Sequence, residues 1–350
     1  MAIYDIRGNE LISGGGGVDG ITPEQYGAIG DGVTDDAAAL QAATDAAAAQ
    51  GKALILGSGK TYRIKTVWNV PGGSRIDGSD AVILTDETDA MGWQGSAICI
   101  AGANDDNWTR NVVIRNFTVR AADTCPTHYM LQMLRCSDVI IESVTFDCDI
   151  NDLSRCCLDM YGAYDNITFR KCVFKQLSAH KEGGLWVREW RSGGVCRNIR
   201  FIGCDIYKAG GDEVLAVWGW RGTIKDVLIS ECNFYEVDEP KYTERGYYPA
   251  WFITLGQSGV GTEVRMENCN VRVKRCASVF RMINAGTRAV VENCDIVIEQ
   301  PEDFPHVQGA NPLLGQGNAD AAKTIIRNCR IRAKGDEYRT LCYQMGALIQ

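Results

Sequence analysis

The chain has 350 residues, and its 44 acidic and 36 basic side chains give a net charge of −8 and a pI near 5.1. This balance excludes a general electrostatic attraction to nucleic acid, and we expect no nucleic-acid partner. No apolar run approaches the length of a membrane span, and the amino terminus lacks the basic and apolar segments of a signal peptide. We therefore predict synthesis in the cytoplasm without a classical export signal, and no membrane insertion.

Residues 1–20 are predicted to form a flexible arm. Ser13 is followed by four glycines at positions 14–17, and such a tract has too much conformational freedom to pack. A disordered tail without a task would explain the same composition.

Residues 21–70 are predicted to form an N-terminal cap that contains a helix and the first strands. Thr34 is a suitable N-cap, Asp35 and Asp36 suit the positive end of the helix dipole, and Gly51 ends the alanine-rich segment. An apolar strand at residues 53–56 follows. A repetitive β structure needs such a cap, because its open end would expose unpaired strand edges and core.

Eight copies of a ten-residue phrase organise the rest of the chain. They begin at Asn111, Asp138, Asn166, Asn198, Asp226, Glu263, Arg288 and Lys323. Apolar residues fill the second and fourth positions and again the seventh and ninth, which is the spacing of strands with one buried face. The sixth position is Asn in four copies and Gly203 in another, and these residues tolerate a left-handed backbone. Each phrase is therefore predicted to be strand, corner, strand.

The phrases recur at solenoid spacing. From Phe117 to Cys329 the seventh position advances in seven steps of about 30 residues each. Strand-only repeats of this size predict an all-β parallel β-helix over residues 71–350, in which each column forms an internal ladder.

Six of the 15 cysteines occupy the seventh column: Cys172, Cys204, Cys232, Cys269, Cys294 and Cys329. In an apolar stack, free cysteine behaves as a small hydrophobe. Paired Cys-x-x-Cys and His spacing is missing, so we predict free, buried thiols and no metal site rather than disulfides.

The segment from Tyr26 to Asp36, its alanine-rich continuation and the later Gly59-Lys-Thr-Tyr62 resemble the start of the pectate-lyase-3 type of β-helix. That type belongs to the pectin-lyase-like superfamily, with polygalacturonase relatives and phage tailspike depolymerases. The asparagine corners resemble the asparagine ladder of the same superfamily. The resemblance covers residues 21 to about 340, and it implies a single-stranded right-handed parallel β-helix with a short N-terminal capping helix.

In such coils a first sheet must precede each phrase. The corresponding stretches are residues 128–135, 157–161, 185–190, 214–220, 251–255, 279–283 and 313–315. The loops that enter this sheet vary most in length, and variable loops on a rigid scaffold often carry binding sites.

Three carboxylates near the start of this sheet are the candidate catalytic residues. The segment that begins at Gly211 resembles the Gly-Asp-Asp-Cys-Ile-Ala signature of polygalacturonases. Gly211 and Asp212 match its first two positions, Glu213 stands at the third, and Val214 replaces the cysteine. Glu182, one coil earlier, takes the place of that family's other aspartate. Coils about 4.8 Å apart can bring carboxylates to retaining or inverting separations. The alternative is that Asp212 and Glu213 cap a turn and pair with Lys208 or Arg221.

Aromatic and basic residues around these carboxylates are the candidate substrate-binding residues. They are Trp186, Arg188, Trp218, Trp220, Arg221, Tyr248, Trp251 and His180. Aromatic faces suit the apolar faces of sugar rings, and the arginines suit an acidic polysaccharide. Burial of the tryptophans under long loops is the alternative.

The preferred function is a tailspike-like glycoside hydrolase that cleaves polysaccharide with paired carboxylates and needs no cofactor. A polysaccharide lyase is one alternative; it would use His180, Lys181 or a tyrosine as base, and calcium as cofactor. The other is a non-catalytic receptor-binding or structural protein of a phage or prophage tail. By the same resemblance we expect a homotrimer, attached to a tail through the arm and acting outside the cell. An apolar strand at residues 340–348, with no cap after it, is a further reason to expect that association.

Overall fold

The computed structural model describes residues 3–4, 10–12, 20–86, 95–122, 129–148, 156–177, 184–209, 213–219, 221–237, 251–257, 261–274, 278–283, 288–299, 314–317 and 323–333. These residues form a right-handed parallel β-helix with a short N-terminal capping helix, as the sequence predicts. Three parallel sheets run along it. Each described coil contributes to the second and third sheets, and the capping helix takes the place of a first-sheet strand between the first two coils.

In the described part of the chain, the first sheet has nine parallel strands. In chain order they are Trp68–Asn69, Ser96–Ala101, Tyr129–Leu134, Cys156–Tyr161, Leu185–Arg188, Leu215–Trp218, Trp251–Gln257, Ser278–Ile283 and Leu314–Gly317. Each of the seven stretches that the sequence assigns to this sheet overlaps one of its strands, and the ends agree to within two residues.

The second and third sheets are built from the two halves of each phrase. The strands Arg75–Thr85, Thr109–Ala121 and Cys136–Cys148 run through both sheets. The other strands of the second sheet are Gly20–Ile21, Ala53–Ile55, Tyr164–Arg170, Val195–Ile202, Thr223–Ser230, Thr262–Glu267, Arg288–Glu292 and Lys323–Arg327. Those of the third are Asp31–Asp35, Thr61–Ile64, Val173–Gln176, Asp205–Lys208, Asn233–Glu236, Asn270–Val273, Asp295–Ile298 and Arg330–Ala333.

The predicted corners between these two sheets are present. The sixth residue of all eight phrases has a left-handed backbone, including Asn116 (φ 62°), Gly203 (φ 60°) and the non-glycine, non-asparagine residues Ser143, Lys171 and Glu231. The first residue of the first five phrases is left-handed as well, a second corner that the sequence analysis did not anticipate. Asn and Asp fill these first positions, which fits their tolerance of this conformation.

The columns of the phrase form ladders inside the helix. The rings of Phe146 and Phe174 stack with centroids 5.2 Å apart, and those of Phe169 and Phe201 stack at 4.9 Å. These separations follow from in-register strands on successive coils. The core is therefore one continuous stack along the described coils.

The cysteine ladder is confirmed. Five of its six cysteines are buried, Cys329 is half-buried, and all six thiols are free. The thiols donate weakly to main-chain carbonyls, for example Cys172 to Ile141 at 3.3 Å and Cys232 to Phe201 at 3.4 Å. Burial raises the pKa of Cys172 well above its ordinary value, so this thiol stays protonated and apolar at neutral pH.

The capping helix spans Ala37–Gln50 and ends at Gly51, whose φ of 63° is left-handed, as predicted. Thr34 as its N-cap is wrong. Asp36 holds that position, while Thr34 lies in the strand Asp31–Asp35, because the Asp31 carboxylate binds the Thr34 backbone N–H and hydroxyl. The helix covers the end of the core with Leu40, Ala43 and Ala47.

The described residues of the predicted arm form two short antiparallel strands, Ile3–Tyr4 and Glu10–Ile12. The glycine tract at 14–17 and the apolar segment 340–348 lie outside the described residues. No helix in the described ranges is long and apolar enough to cross a membrane.

Candidate functional site

The candidate site lies on the outer face of the first sheet. Alternation along each strand sends one set of side chains into the core and the other set outward. The inward row contains Leu158, Leu185, Leu215, Ile253 and Phe280, and the neighbouring outward row contains Asp159, Trp186, Ala216, Thr254 and Arg281. Trp186 and Ala216 pack with Tyr129 and Trp218 in an apolar cluster separate from the main core, which places them on the outside.

Trp186 and Trp218 form a stacked pair on adjacent strands. Their ring centroids are 6.1 Å apart with an interplanar angle of 20°, and Tyr129 meets Trp186 edge-on at 6.5 Å. Trp186 is only 8% exposed, whereas Trp218 is half-buried. Since Trp186 is covered by its neighbours, Trp218 is the better placed of the two for contact with a sugar.

The indole N–H groups of this pair have no hydrogen-bond acceptor in the part of the chain that the structure describes. Both Nε1 atoms are buried, and neither finds a partner among the described residues. A buried donor without an acceptor costs about 1–3 kcal/mol. Each indole N–H would therefore be stabilised by an oxygen acceptor from outside the described residues.

Arg188 and Asp159 form a buried ion pair beside the tryptophans. Arg188 Nε and Nη2 donate to Asp159 Oδ1 at 2.9 and 2.5 Å, and the two residues are 8% and 1% exposed. The guanidinium lies 4.4 Å from the Trp186 ring centroid, 5.3 Å from that of Tyr161 and 5.7 Å from that of Trp190. Burial raises the pKa of Asp159 above its ordinary value, and Arg188 opposes the shift.

Glu213 is the one predicted catalytic carboxylate among the described residues. It is 3% exposed, and its Oε1 accepts hydrogen bonds from Thr254 Oγ1 at 2.9 Å and Arg281 Nη1 at 3.0 Å. The carboxylate is therefore paired, and Arg281 is a partner other than the Lys208 or Arg221 that the sequence suggested. These contacts fix its position over the strands Trp251–Gln257 and Ser278–Ile283.

Asp159 and Glu213 do not form a catalytic pair with each other. Asp159 lies three strands from Thr254, the residue that holds the Glu213 carboxylate, and three strands span about 14 Å. Glycosidase carboxylates lie within roughly 9.5 Å. A partner for Glu213 must come from closer by, and the two other predicted carboxylates are the candidates in the sequence.

Those two carboxylates, Asp212 and Glu182, lie outside the described residues, as do His180, Trp220 and Tyr248. The backbone of Trp251 begins the strand Trp251–Gln257, but its side chain is not described.

Gly184 packs so closely on Glu213 that a Cβ there would collide with the Glu213 carbonyl oxygen. The chain two residues after Glu182 thus passes beside Glu213.

Arg221 and Glu213 lie at opposite ends of the strand Leu215–Trp218, with Arg221 in the turn that follows it. Its side chain is exposed, and its backbone N–H donates to the carbonyl of Glu189 at 3.3 Å. Five residues of extended chain, about 16 Å, separate Glu213 from Trp218. The predicted residues that the structure describes are therefore spread over about 16 Å along this sheet.

A buried carboxylate at this turn was missed by the sequence analysis. Glu189 is fully buried, and it accepts hydrogen bonds from the Arg191 guanidinium at 2.9 Å, Cys196 Sγ at 2.8 Å and Ala163 N at 3.3 Å. A side chain at Gly194 would meet it, since a Cβ there would lie 2.7 Å from Glu189 Cδ. Burial alone would raise the pKa of Glu189, but the Arg191 and Cys196 hydrogen bonds outweigh it and lower the pKa below its ordinary value.

Replacing Glu189 by Gln is expected to lower the free energy of unfolding by about 1–3 kcal/mol at pH 7, because the charged acceptor of these donors is lost. A carboxylate with a depressed pKa stabilises the fold above its ordinary pKa of 4.5, and this contribution is lost as the pH falls through the depressed value. Urea unfolding at pH 7 and pH 3 should therefore show a smaller difference between wild type and variant at pH 3. The exposed Glu263→Gln is the control, with a change of about 0.5 kcal/mol or less. An equal loss at both pH values would contradict the prediction.

Asp159 and Thr254 were also missed, although the alternation of inward and outward residues along each strand could have pointed to them. Asp159 stands between the inward Leu158 and Met160, and Thr254 stands between Ile253 and Leu255. A polar residue at an outward position of a candidate binding sheet can be read from the sequence. Its partner cannot, because that depends on the register between coils.

In the ranges that the structure describes, no three His, Cys, Asp or Glu side chains converge as metal ligands. The charged side chains named above on the first sheet form two carboxylate–guanidinium pairs, Asp159–Arg188 and Glu213–Arg281. The fold and this face together define a parallel β-helix protein with an aromatic, charge-paired site on its first sheet.

Comparison with known proteins is consistent with that class. No family model matches the sequence. Over 170 residues, covering 43% of this chain, the sequence is 26% identical to the capsule KN3-specific Depolymerase 1 of Klebsiella phage KN3-1. The match spans 21% of that depolymerase, so it concerns a part of a longer protein.

Two solved structures share the fold. ORF18 of Geobacillus virus E2 aligns with a TM-score of 0.57 and 12% identity over 90% of this chain and 62% of its own. The enzymatically active domain of bacteriophage CBA120 tailspike protein 4 aligns with a TM-score of 0.51 and 12% identity over 89% of this chain and 40% of its own. The resemblance to tailspike β-helices is thereby confirmed at the level of the fold.

Proposed function

We propose that the chain is a polysaccharide-degrading β-helix of the tailspike type, which binds a glycan along the outer face of its first sheet. The observation that carries the proposal is the stacked Trp186–Trp218 pair, which lies on this face between two buried carboxylate–arginine pairs. Aromatic rings with ordered polar neighbours are what a sugar-binding surface requires.

Glycoside hydrolysis is the chemistry that we propose for this face. Glu213, together with Asp212 or Glu182, would supply the acid and the base or nucleophile that glycosidic cleavage needs. Thr254 and Arg281 hold the Glu213 carboxylate in one position, which is the preorganisation that such a role requires. The likeness to a phage capsule depolymerase supports a surface polysaccharide as substrate.

A screen of purified bacterial capsular polysaccharides tests the proposal. Cleavage that releases reducing ends without near-ultraviolet absorbance supports the hydrolase. Products that absorb in the near ultraviolet would replace it by the lyase alternative, with a base such as His180 or Lys181 and a calcium dependence. Retention of a polysaccharide without cleavage would leave the receptor-binding alternative, and failure to bind any would contradict the proposal.

Trp218→Ala is expected to weaken binding of a retained polysaccharide by roughly 1–3 kcal/mol, because the half-buried ring is the accessible member of the pair. Titration followed by calorimetry measures the affinity. Trp108→Ala is the control, since Trp108 lies in a turn on an earlier coil and donates to Asp105. Equal affinity of Trp218→Ala and wild type would remove this ring from the binding surface.

We further propose that the chain works as a homotrimer in a phage or prophage tail and acts outside the cell. The support is the likeness to phage proteins of the same fold. Light scattering at micromolar concentration should give three times the chain mass of 38.4 kDa. A monomeric mass would contradict this arrangement.

A further inference from the structure

The charges on the outer face of the first sheet cancel in pairs. Arg188 is paired with Asp159, and Arg281 is paired with Glu213. All four side chains are largely buried, so each arginine is neutralised at short range. These four side chains therefore add no net positive charge to the face, although the sequence suggested its arginines as ligands for an acidic polysaccharide.

The two indole N–H groups on this face are neutral donors. The indole N–H groups of Trp186 and Trp218 are buried and find no acceptor among the described residues, and the two rings belong to adjacent strands. The two rings stack with centroids 6.1 Å apart, so a single sugar unit is large enough to contact both. An N–H of this kind binds a hydroxyl or amide oxygen without needing a charge.

We propose that the Trp186–Trp218 pair is a subsite for a neutral sugar unit, recognised through a hydroxyl or acetamido oxygen that accepts from the two indole N–H groups. The inference rests on the proposed function, because it specifies which part of the polysaccharide this face takes. A uronate carboxylate is disfavoured here, because it would lie near the Asp159 carboxylate, which neighbours Trp186 and already pairs with Arg188.

Removing the N–H but keeping the ring tests the subsite. Trp186→Phe and Trp218→Phe should each weaken binding of a retained capsular polysaccharide by roughly 2- to 10-fold, the effect of one hydrogen bond. Trp108→Phe, which removes an indole N–H already bonded to Asp105 on an earlier coil, should bind as wild type does. Thermal unfolding of each variant shows whether the fold is intact.

A matched pair of ligands then separates neutral from ionic recognition. Where the retained polysaccharide contains a uronic acid, its carboxyl groups are activated with carbodiimide and reduced to primary alcohols, which leaves the linkages unchanged. The loss caused by each Phe substitution should be the same on the native and the reduced polymer, as expected for independent sites. Where the retained polysaccharide is neutral, the 2- to 10-fold loss itself supports the subsite.

If the Phe substitutions weaken binding of the native polymer but not of the reduced one, the proposal is overturned, because the N–H groups would then bind a carboxylate. Wild-type affinity in both Phe variants would also overturn it, while the proposed function would stand. If wild-type protein retains no polysaccharide of the panel, the proposed function fails and this inference fails with it.

Discussion

Replacing the candidate catalytic carboxylates is expected to give the largest loss of activity. At least one of Asp212→Asn, Glu213→Gln and Glu182→Gln should lower turnover of a cleaved polysaccharide by roughly 10²- to 10⁴-fold, because an amide can neither give nor take the proton. Reducing-end release at saturating substrate measures the turnover, and circular dichroism checks the fold. Full activity in all three variants would move the active site elsewhere, first to the loop at residues 236–250.

Glu213 needs a sharper control, because it is also a buried ion-pair partner. Glu213→Gln leaves the Arg281 guanidinium without this carboxylate, and breaking a buried pair costs about 3–5 kcal/mol. A second variant, Glu213→Gln with Arg281→Gln, removes both charges and should recover much of that stability. If Glu213 takes part in the chemistry, the double variant stays inactive. Recovery of wild-type turnover would instead make Glu213 structural and leave Asp212 and Glu182 as the candidates.

Replacing Cys232 by Asp is expected to have the largest effect on stability, with a loss above about 4 kcal/mol or no folded protein. Cys232 is fully buried in the ladder, and its thiol donates to the carbonyls of Phe201 and Ser230. A carboxylate there would have to be buried without a cation. Cys232→Ala should cost only about 1–2 kcal/mol, from lost packing. Urea unfolding measures both, and Lys225→Asp, at an exposed position of the same coil, should change stability by about 0.5 kcal/mol.

Thiol labelling of the native protein tests the same ladder without a substitution. Cys172, Cys204 and Cys232 should react only on unfolding, because their sulfur atoms are buried away from the reagent. Cys99 is half-buried, and burial raises its pKa to about 11, so it should react slowly but before the ladder does. Labelling of the three ladder thiols at the rate of a free thiol would contradict their burial.

The sequence by itself determined the coil architecture. The spacing of apolar residues within each phrase is a local property of a strand with one buried face, and the asparagines and Gly203 mark a conformation that few residues tolerate. The column of cysteines could be read as a buried ladder for the same reason, since residues in equivalent positions of stacked coils meet the same environment. The end of the capping helix at Gly51 was also local.

The tertiary structure alone decided which residues meet on the first sheet. Arg188 and Asp159 are 29 residues apart in the chain, and Arg281 and Glu213 are 68 apart. Coil lengths vary in this part of the chain, so the partners across coils cannot be obtained by counting residues. Even the helix start was decided by contacts, since Asp31 holds Thr34 in a strand. Local preferences fix strands and corners, whereas ion pairs and ring stacks depend on the register between coils, which the whole fold sets.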